Sequence, residues 1–382
     1  MAEKKNVLML LSNPFRPDPR VYKEAKSLIT AGYDVTILCW DREQAHPVEE
    51  IIDGIKIIRL GPASGYGKSG DFVRALPKFW KNLRKKALKL KFDIIHAHDL
   101  DTLSPGLKLA SKFKIPLIYD SHEIYHEMAA ENLSPFFTGL LARYEKKMVR
   151  KPDIMITVNE SIAELFRGFG VKDIRVVMNC QPDVHVDKAE AETLKKELSP
   201  DGKQIALYIG VLEPNRLLLE LAEAHIKGNG NFLLVLGGFG SLEPKLKSMA
   251  EKNPNKIKFI GRIKPSEVPN YNHAADILLA TYDPGLRNNR LGAPNKLFES
   301  MSASKPIVVT KGTYAAEVVE KTGCGISTDY TGKAAISSIV ALLEDKVFYD
   351  KCAVAGRNAY EEKYNWTVME KRLLDAYSMI LK

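Results

Sequence analysis

Two short stretches gather groups able to do acid–base or hydrogen-bonding chemistry. In "DIIHAHDLD" (93–101), His96 and His98 alternate with apolar residues, and Asp99 and Asp101 follow. In "IYDSHEIYHE" (118–127), Asp120, His122 and Glu123 come directly after an apolar run. Histidines at i and i+2 share one face of a strand, and such a pair raises the question of a metal. The helical HExxH spacing is absent, however, and one strand end gives no complete ligand set. Hydrogen bonding is the better reading, and no metal is expected. Titratable groups concentrated at a strand's carboxyl end are a functional signal; the bland alternative is a polar loop with an incidental histidine.

Three further stretches suit anions and hydroxyls. "YIGVLEPNRLLLEL" (208–221) reads as strand, glycine turn at Gly210 and helix, with Arg216 at the helix mouth. A cation beside free helix N–H groups suits a diphosphate. "LGGFGSLEPKL" (236–246) allows close backbone approach at Gly238. In "RLGAPNKLFESMSASKPIVVT" (290–310), Asn295 is the expected N-cap of a short helix beginning at Lys296. Helical spacing sends Leu297, Phe298 and Met301 one way and Asn295 and Glu299 the other. A carboxylate at Glu299 suits the paired hydroxyls of a ribose. After the first strand, "SNPFRPDPRV" (12–21) offers Arg16, Asp18 and Arg20 but no GxGxxG turn, which argues against dinucleotide binding.

The elements that must position these groups are legible as short, nearly continuous apolar runs. They fall at 6–11, 34–39, 55–60, 94–97, 116–120, 153–158 and 174–178, then at 204–210, 231–237, 256–261, 276–281 and 306–310. Such runs fit strands buried on both faces, and most gaps between them read as helices, for example 20–32 ending on Gly32. Strand–helix alternation predicts α/β architecture with doubly wound parallel sheets. The strands are too many for one sheet. The polar stretch 181–203 separates an expected N-terminal domain, 1–185, from a C-terminal one, 200–364, and the helical segment 365–382 is expected to cross back to the first.

The 382 residues are 45% hydrophobic and 27% charged, which fits two globular domains. The net charge of +9 favours anionic partners. The four cysteines, Cys39, Cys180, Cys324 and Cys352, form no CxxC pair, so neither a zinc site nor a disulfide framework is suggested. The N-terminus reads as a first strand rather than a signal peptide, and no run reaches the about 18 apolar residues of a spanning helix. A cytoplasmic setting is expected. Two basic amphipathic segments carry aromatic residues. The first, 72–91, is expected to pack on the sheet, its length limited by Pro77. The second, 136–151, is expected on an anionic membrane surface, peripheral on the inner face of the plasma membrane. Basic residues here lack interleaved stacking platforms, so nucleic acid is not an expected partner.

Together "DPRVYKEAKSLITAGYDVTIL", "DIIHAHDLDT", "YDSHEIY", "PDIMITVNESIAE", "YIGVLEPNR", "FIGRI", "NHAADILLA" and "NKLFESMSASKPIVV" resemble the retaining glycosyltransferases of family 4, which have the GT-B fold. The resemblance spans nearly the whole chain. It implies two Rossmann-like domains facing an interdomain cleft, with an acceptor held mainly by the first and a nucleotide-diphosphate sugar, UDP- or GDP-linked, mainly by the second. It implies His122 near the reacting carbon, with Asp120 and Glu123 in the catalytic group. Arg216 would meet the diphosphate, with Gly210, Gly238, Asn295 and Lys296, and Glu299 would bind ribose. Arg16, Asp18, Arg20, His98 and Asp99 would lie on the acceptor side. No obligatory metal or other cofactor is implied, and the acceptor would be a glycan or a lipid-linked precursor. Two positions depart from the pattern. Leu291 stands where the first Glu of E-x7-E belongs, and Val211 where an Arg is usual. Lys296 or Arg290 would compensate. The missing carboxylate keeps a non-catalytic scaffold subunit open as an alternative, beside a nucleotide-sugar epimerase.

Overall fold

The computed structural model of the chain describes residues 4–16, 18–64, 69–130, 133–184 and 186–381. The chain divides into two compact units. One runs to residue 178 and takes back residue 369 onward; the other spans 179–368. The polar stretch 181–203 therefore lies inside the second unit, where part of it forms a helix.

The first unit is built on β1 (Asn6–Leu11), β2 (Asp34–Trp40), β3 (Glu49–Ile52), β4 (Ile55–Leu60), β5 (Ile94–His98), β6 (Leu117–Ser121), β7 (Ile154–Thr157) and β8 (Ile174–Val176). They form one eight-stranded sheet in the order β3-β4-β2-β1-β5-β6-β7-β8. All neighbours are parallel except β3 and β4. The helices are α1 (Pro19–Thr30), α2 (Ser69–Ala87), α3 (Leu100–Phe113), α4 (Tyr125–Ala130), α5 (Pro135–Met148) and α6 (Glu160–Gly168). The central strands bury every residue on both faces, as their unbroken apolar runs require. Gly32 sits at φ 93 just past the α1 C-cap, Ala31, a backbone state its missing Cβ permits.

Helix α2 packs on the sheet. Phe79, Leu83 and Ala87 are buried, and Trp40 stacks on Phe79 at 4.8 Å between ring centroids. Pro77 does not limit this helix as expected: the helix starts at Ser69 and continues through it to Ala87. Helix α5 is different. Phe136, Phe137, Leu140 and Tyr144 are exposed, while Glu145 and Met148 face inward.

The second unit holds α7 (Lys188–Leu198), β9 (Gln204–Val211), α8 (Leu218–Lys227), β10 (Phe232–Phe239), α9 (Glu243–Lys252), β11 (Ile257–Gly261), α10 (Val268–Ala274) and β12 (Ile277–Ala280). It continues with α11 (Arg287–Leu291), α12 (Asn295–Ser302), β13 (Ile307–Thr310), α13 (Tyr314–Thr322), β14 (Gly325–Thr328), α14 (Gly332–Glu344) and α15 (Lys346–Glu362). The sheet order is β11-β10-β9-β12-β13-β14, all parallel. Tyr208, Leu218, Phe232, Leu234 and Ile277 belong to its buried core.

The last helix, α16 (Trp366–Ile380), carries the chain back into the first unit's core. Met369, Leu373, Ala376 and Tyr377 are fully buried. Arg372 donates to the Val176 carbonyl at 3.1 Å, and the Tyr377 hydroxyl meets His96 Nδ1 at 2.8 Å. All four cysteines are buried and unpaired.

Removing a fully buried aromatic ring leaves a cavity that typically costs about 3–5 kcal/mol. Tyr377→Ala is expected to lower stability by that order, with hydrogen-exchange protection falling in the first unit and little changed in the second. Uniform loss of protection across both units would contradict this placement of the helix.

Candidate functional site

In open parallel sheets, ligand sites lie beyond the carboxyl ends of strands, where neighbouring connections diverge. In the first unit that point is between β1 and β5. In the second it is between β9 and β12. The expected site residues cluster at both.

In the first unit the organising group is Asp120, at the end of β6 and fully buried. Arg20 grips it with a two-pronged fork, Nε to Oδ2 at 2.9 Å and Nη2 to Oδ1 at 2.8 Å. Its third prong donates to the Val177 carbonyl at 2.8 Å. His122 Nε2 lies 3.1 Å from Asp120 Oδ2, and His98 Nδ1 lies 3.4 Å from the same oxygen. The other side of His122 faces Asp99. Oδ2 is 3.4 Å from Nδ1, and Oδ1 accepts the His122 backbone N–H at 3.2 Å. Each ring nitrogen of His122 thus faces a carboxylate. Only the doubly protonated ring donates to both, so the geometry selects an imidazolium. Burial alone would lower its pKa, but Asp99 and Asp120 raise it to about 10. Burial would raise Asp120, but Arg20 and His122 hold it well below the usual range. Burial leaves His96 and His98 lowered, hence neutral. Glu24, one turn along α1 from Arg20 at 3.1 Å, is pushed up to about 8 by burial and by Asp120.

Asp99 reaches this position through an unusual backbone, φ 60 and ψ 164, a region that favours glycine. A strained aspartate whose carboxylate fixes both the main chain and the ring of His122 is a functional signal invisible in sequence.

Glu24, His96, His98 and Asp120 bring potential metal ligands within 4.8 Å of one another. Both Asp120 oxygens already accept from Arg20, however, and a dication would have to displace that guanidinium. The donor set fits a charge-balanced ion-pair cluster better than a metal centre.

Three residues expected on the acceptor side have other work. Arg20 is 4% exposed and committed to Asp120, and His98 is wholly buried. Asp18 caps α1, accepting the Val21 N–H at 3.0 Å, and receives the Asn13 amide at 2.7 Å. The cause is burial and capping, which residue types alone do not reveal. Arg16 is at the surface, paired with Glu50 of β3 at 2.9 Å. Glu123 is exposed, and its carbonyl accepts from the Ser121 hydroxyl at 2.8 Å.

In the second unit, β9 and β10 run side by side with Gly210 opposite Gly238. Gly238 has φ 131, and a Cβ there would fall 1.7 Å from the Gly210 carbonyl oxygen. A Cβ at Gly210 would fall 2.7 Å from Lys296 Nζ. Gly238 therefore needs glycine, while the bare Gly210 lets the Lys296 ammonium rest on the strand end. Lys296 Nζ lies 4.6 Å from the centroid of the Tyr208 ring, and the Arg216 guanidinium lies 4.1 Å from that of Tyr282. Arg216 ends a short 3-10 turn before α8 and donates to Asn289 at 2.9 Å. Two cations thus meet at the carboxyl ends of β9 and β12. Glu299, one turn beyond Asn295, is half-buried, while Leu297, Phe298 and Met301 are buried as expected. The N-cap is Pro294, not Asn295. Asn295 is the first helical residue, exposed, and its side-chain oxygen accepts from Asn179 at 2.9 Å. Sequence reasoning missed Tyr208, Tyr282 and Asn289. Only the position of the two tyrosines near strand ends marked them.

Leu291 ends α11, and Val211 is 44% exposed beside this cluster, so neither departure is filled by a charge at the same position. A cavity of about 570 Å³ opens at the amino ends of β10 and β11, and none of the expected site residues lines it.

Two family models match the chain in succession: Glycosyltransferase Family 4 over residues 20–180 and Glycosyl transferases group 1 over 190–362. A glycogen synthase from Mycobacterium tuberculosis is 24% identical over 395 aligned positions, covering 94% of this chain and 89% of that one. Among solved structures, a sucrose-phosphate synthase from Thermosynechococcus elongatus superposes with a TM-score of 0.81 at 17% identity, over 98% of this chain and 99% of the other. HepE of Anabaena in complex with UDP-glucose gives 0.74 at 15% identity, over 98% and 99%.

Two predictions follow from the first-unit cluster. His122 keeps a proton in the folded chain that it sheds near pH 6.5 when unfolded. Its stabilisation is complete below that pH and is lost as pH rises toward about 10. Glu24, raised to about 8, tilts stability the same way from pH 4.5 upward. Thermal stability should therefore decline between pH 6.5 and 10, and His122→Gln should flatten the decline; an unchanged slope would remove the imidazolium. At position 99, Gly should be more stable than Ala by about 1 kcal/mol or more, because only Gly tolerates φ 60 freely. The reverse order in chemical denaturation would mean the backbone is not strained.

Proposed function

Because the chain belongs to the family 4 glycosyltransferases of GT-B type, we propose that it moves a sugar, with retention of configuration, from a nucleotide-diphosphate sugar to a glycan or lipid-linked acceptor. The observation that carries the reading is the pairing of Arg216 and Lys296 at glycine-lined strand ends, with Glu299 one turn further along α12. The diphosphate would lie against the two cations and the glycine turns, and the ribose against Glu299. UDP-glucose is the donor to try first, since the Anabaena neighbour was solved with it; a GDP-linked sugar is the second.

As the anomeric bond breaks, positive charge grows on the sugar and negative charge on the leaving diphosphate. Fixed cations aimed at the leaving group stabilise that change at little reorganisation cost. They do the work a divalent metal does elsewhere, so the reaction is proposed to need no added metal. His122, held as a cation between two carboxylates, is unsuited to act as a base; it offers a fixed positive charge. No side chain is assigned as nucleophile. Same-face attack, with the departing phosphate taking the acceptor's proton, accounts for retention. Leu291 removes a carboxylate that would grip donor hydroxyls, so the sugar is held by fewer polar contacts.

Helix α5 supports a peripheral membrane setting, on the inner face of the plasma membrane. Phe136 is 71% and Phe137 59% exposed, with Leu140 and Tyr144 on the same arc and Arg143 and Lys147 beside them. Aromatics that insert and cations that meet headgroups are the signature of an interfacial helix. Among the described residues, no helix is long and apolar enough to cross a membrane.

Arg216→Ala, Lys296→Ala and His122→Ala should each reduce transfer at least about tenfold, the first two also weakening UDP binding, since each removes a charge-assisted contact. Near-normal turnover in all three would sink the assignment. Phe136→Ser with Phe137→Ser should abolish flotation with anionic vesicles while leaving the fold intact. Absence of flotation by the unaltered protein would reject the membrane reading.

A further inference from the structure

We propose that the groove between α2 and α3 binds closely spaced phosphate groups, at a site separate from the donor cluster. The groove, about 310 Å³, is lined by Lys81, Arg84 and Lys85 of α2 and by Lys108 and Lys112 of α3. Leu88 and Leu109 supply its apolar remainder. None of the five cations makes an ion pair among the described residues, whereas Lys86, next along α2, is paired with Glu49 at 2.6 Å. No acid is near in sequence to neutralise them. Helix α2 carries only Asp71, in its first turn, and α3 only Asp101, which is buried.

Lys81 and Lys85 are four apart, as are Lys108 and Lys112, so like charges stack along both walls, an arrangement that destabilises a helix. Cations in a last turn are explained by the helix dipole, which accounts for Arg84, Lys85 and Lys112. Lys81 and Lys108 lie outside those turns and have no such reason. A single carboxylate reaches one wall. A ligand carrying several phosphates satisfies both, the Arg84 fork taking two oxygens and the lysines acting as point charges.

The phosphates have two sources. Helices α2, α3 and α5 follow crossovers that run the same way along the sheet, so right-handed connection puts all three on one face. Lipid headgroups beneath α5 are one source, which rests on the membrane reading of that helix. A soluble oligophosphate is the other and is independent of it.

The test uses the full chain with two probes: inorganic tripolyphosphate by titration calorimetry, and vesicles of phosphatidic acid in phosphatidylcholine by flotation. Lys85→Glu with Lys112→Glu alters the groove at exposed positions. Lys333→Glu with Lys351→Glu makes the same charge change in the second unit, and Tm checks that both fold. The groove pair should weaken binding about tenfold or more, since it replaces two attractive phosphate contacts by repulsive ones, and the control pair should not. Loss with tripolyphosphate assigns a soluble ligand; loss with vesicles alone assigns lipid. Equal weakening by both pairs, or no binding of either probe, overturns the proposal.

Discussion

Everything at the first unit's site hangs on one buried ion pair, the Arg20 fork on Asp120. A carboxylate taken out of water is costly unless its lone pairs are filled. Arg20 fills two directions and so keeps Asp120 charged. The charged Asp120 then draws His98 and His122 to one oxygen, and Asp99 completes the grip on His122 from the other side. Remove the guanidinium and Asp120 loses the strongest influence that keeps it charged, its hold on both histidines weakens, and Glu24, still buried and no longer beside a cation, stays neutral. The chain buries this arrangement because α1 brings Arg20 and Glu24, one turn apart, over the strand ends.

The second unit solves a related problem with far less burial. Its cations are held over aromatic faces rather than against carboxylates, Arg216 on Tyr282 and Lys296 on Tyr208. A cation on a ring keeps its hydrogen-bond donors largely available. The first unit's charges are spent on each other, and the second's remain open to an anion. That contrast separates a cluster whose charges hold one another in place from one whose cations keep their donors available, and both consist of residue types that look alike in a sequence.

The strands with buried faces were legible because both faces demand apolar residues. Two strands were not. β3 is a half-exposed edge strand, "EEII", and β14 is "GIST", short, polar and only partly buried. Neither carries the continuous apolar run that marks its neighbours. The site was legible in part: strand-end position picked out Asp120, His122 and Arg216, and helical spacing with the family resemblance picked out Lys296 and Glu299. What residue types did not reveal is how Arg16, Asp18, Arg20 and His98 are engaged, because the same charged side chain can cap a helix, pair at the surface or lie in the core. Asn295 was misplaced by one residue, since Pro294 takes the cap position where a polar side chain was expected. Helices α2 and α5 have similar compositions, yet one turns its aromatics to the sheet and the other to solvent. The expectation that 72–91 packs on the sheet agrees with the buried Phe79 and Leu83, and the placing of 136–151 at a surface agrees with the exposed Phe136 and Phe137.

The first unit is assembled from two pieces of chain that are far apart in sequence. Its last contribution, Tyr377, meets His96 across 281 positions. A ribosome delivers the chain from the N-terminus, so the strands bearing His96, His98 and Asp120 emerge long before the helix that covers them. Until Tyr377 is made, one flank of the buried His96 remains open, and the first unit's strands wait while residues 179–368 of the second unit are synthesised. A chain that stopped before Met369 would hold every strand of both sheets yet leave the histidine cluster unsealed on that flank. The cluster therefore closes only on a chain made at least as far as Tyr377, after every strand of both sheets has been laid down.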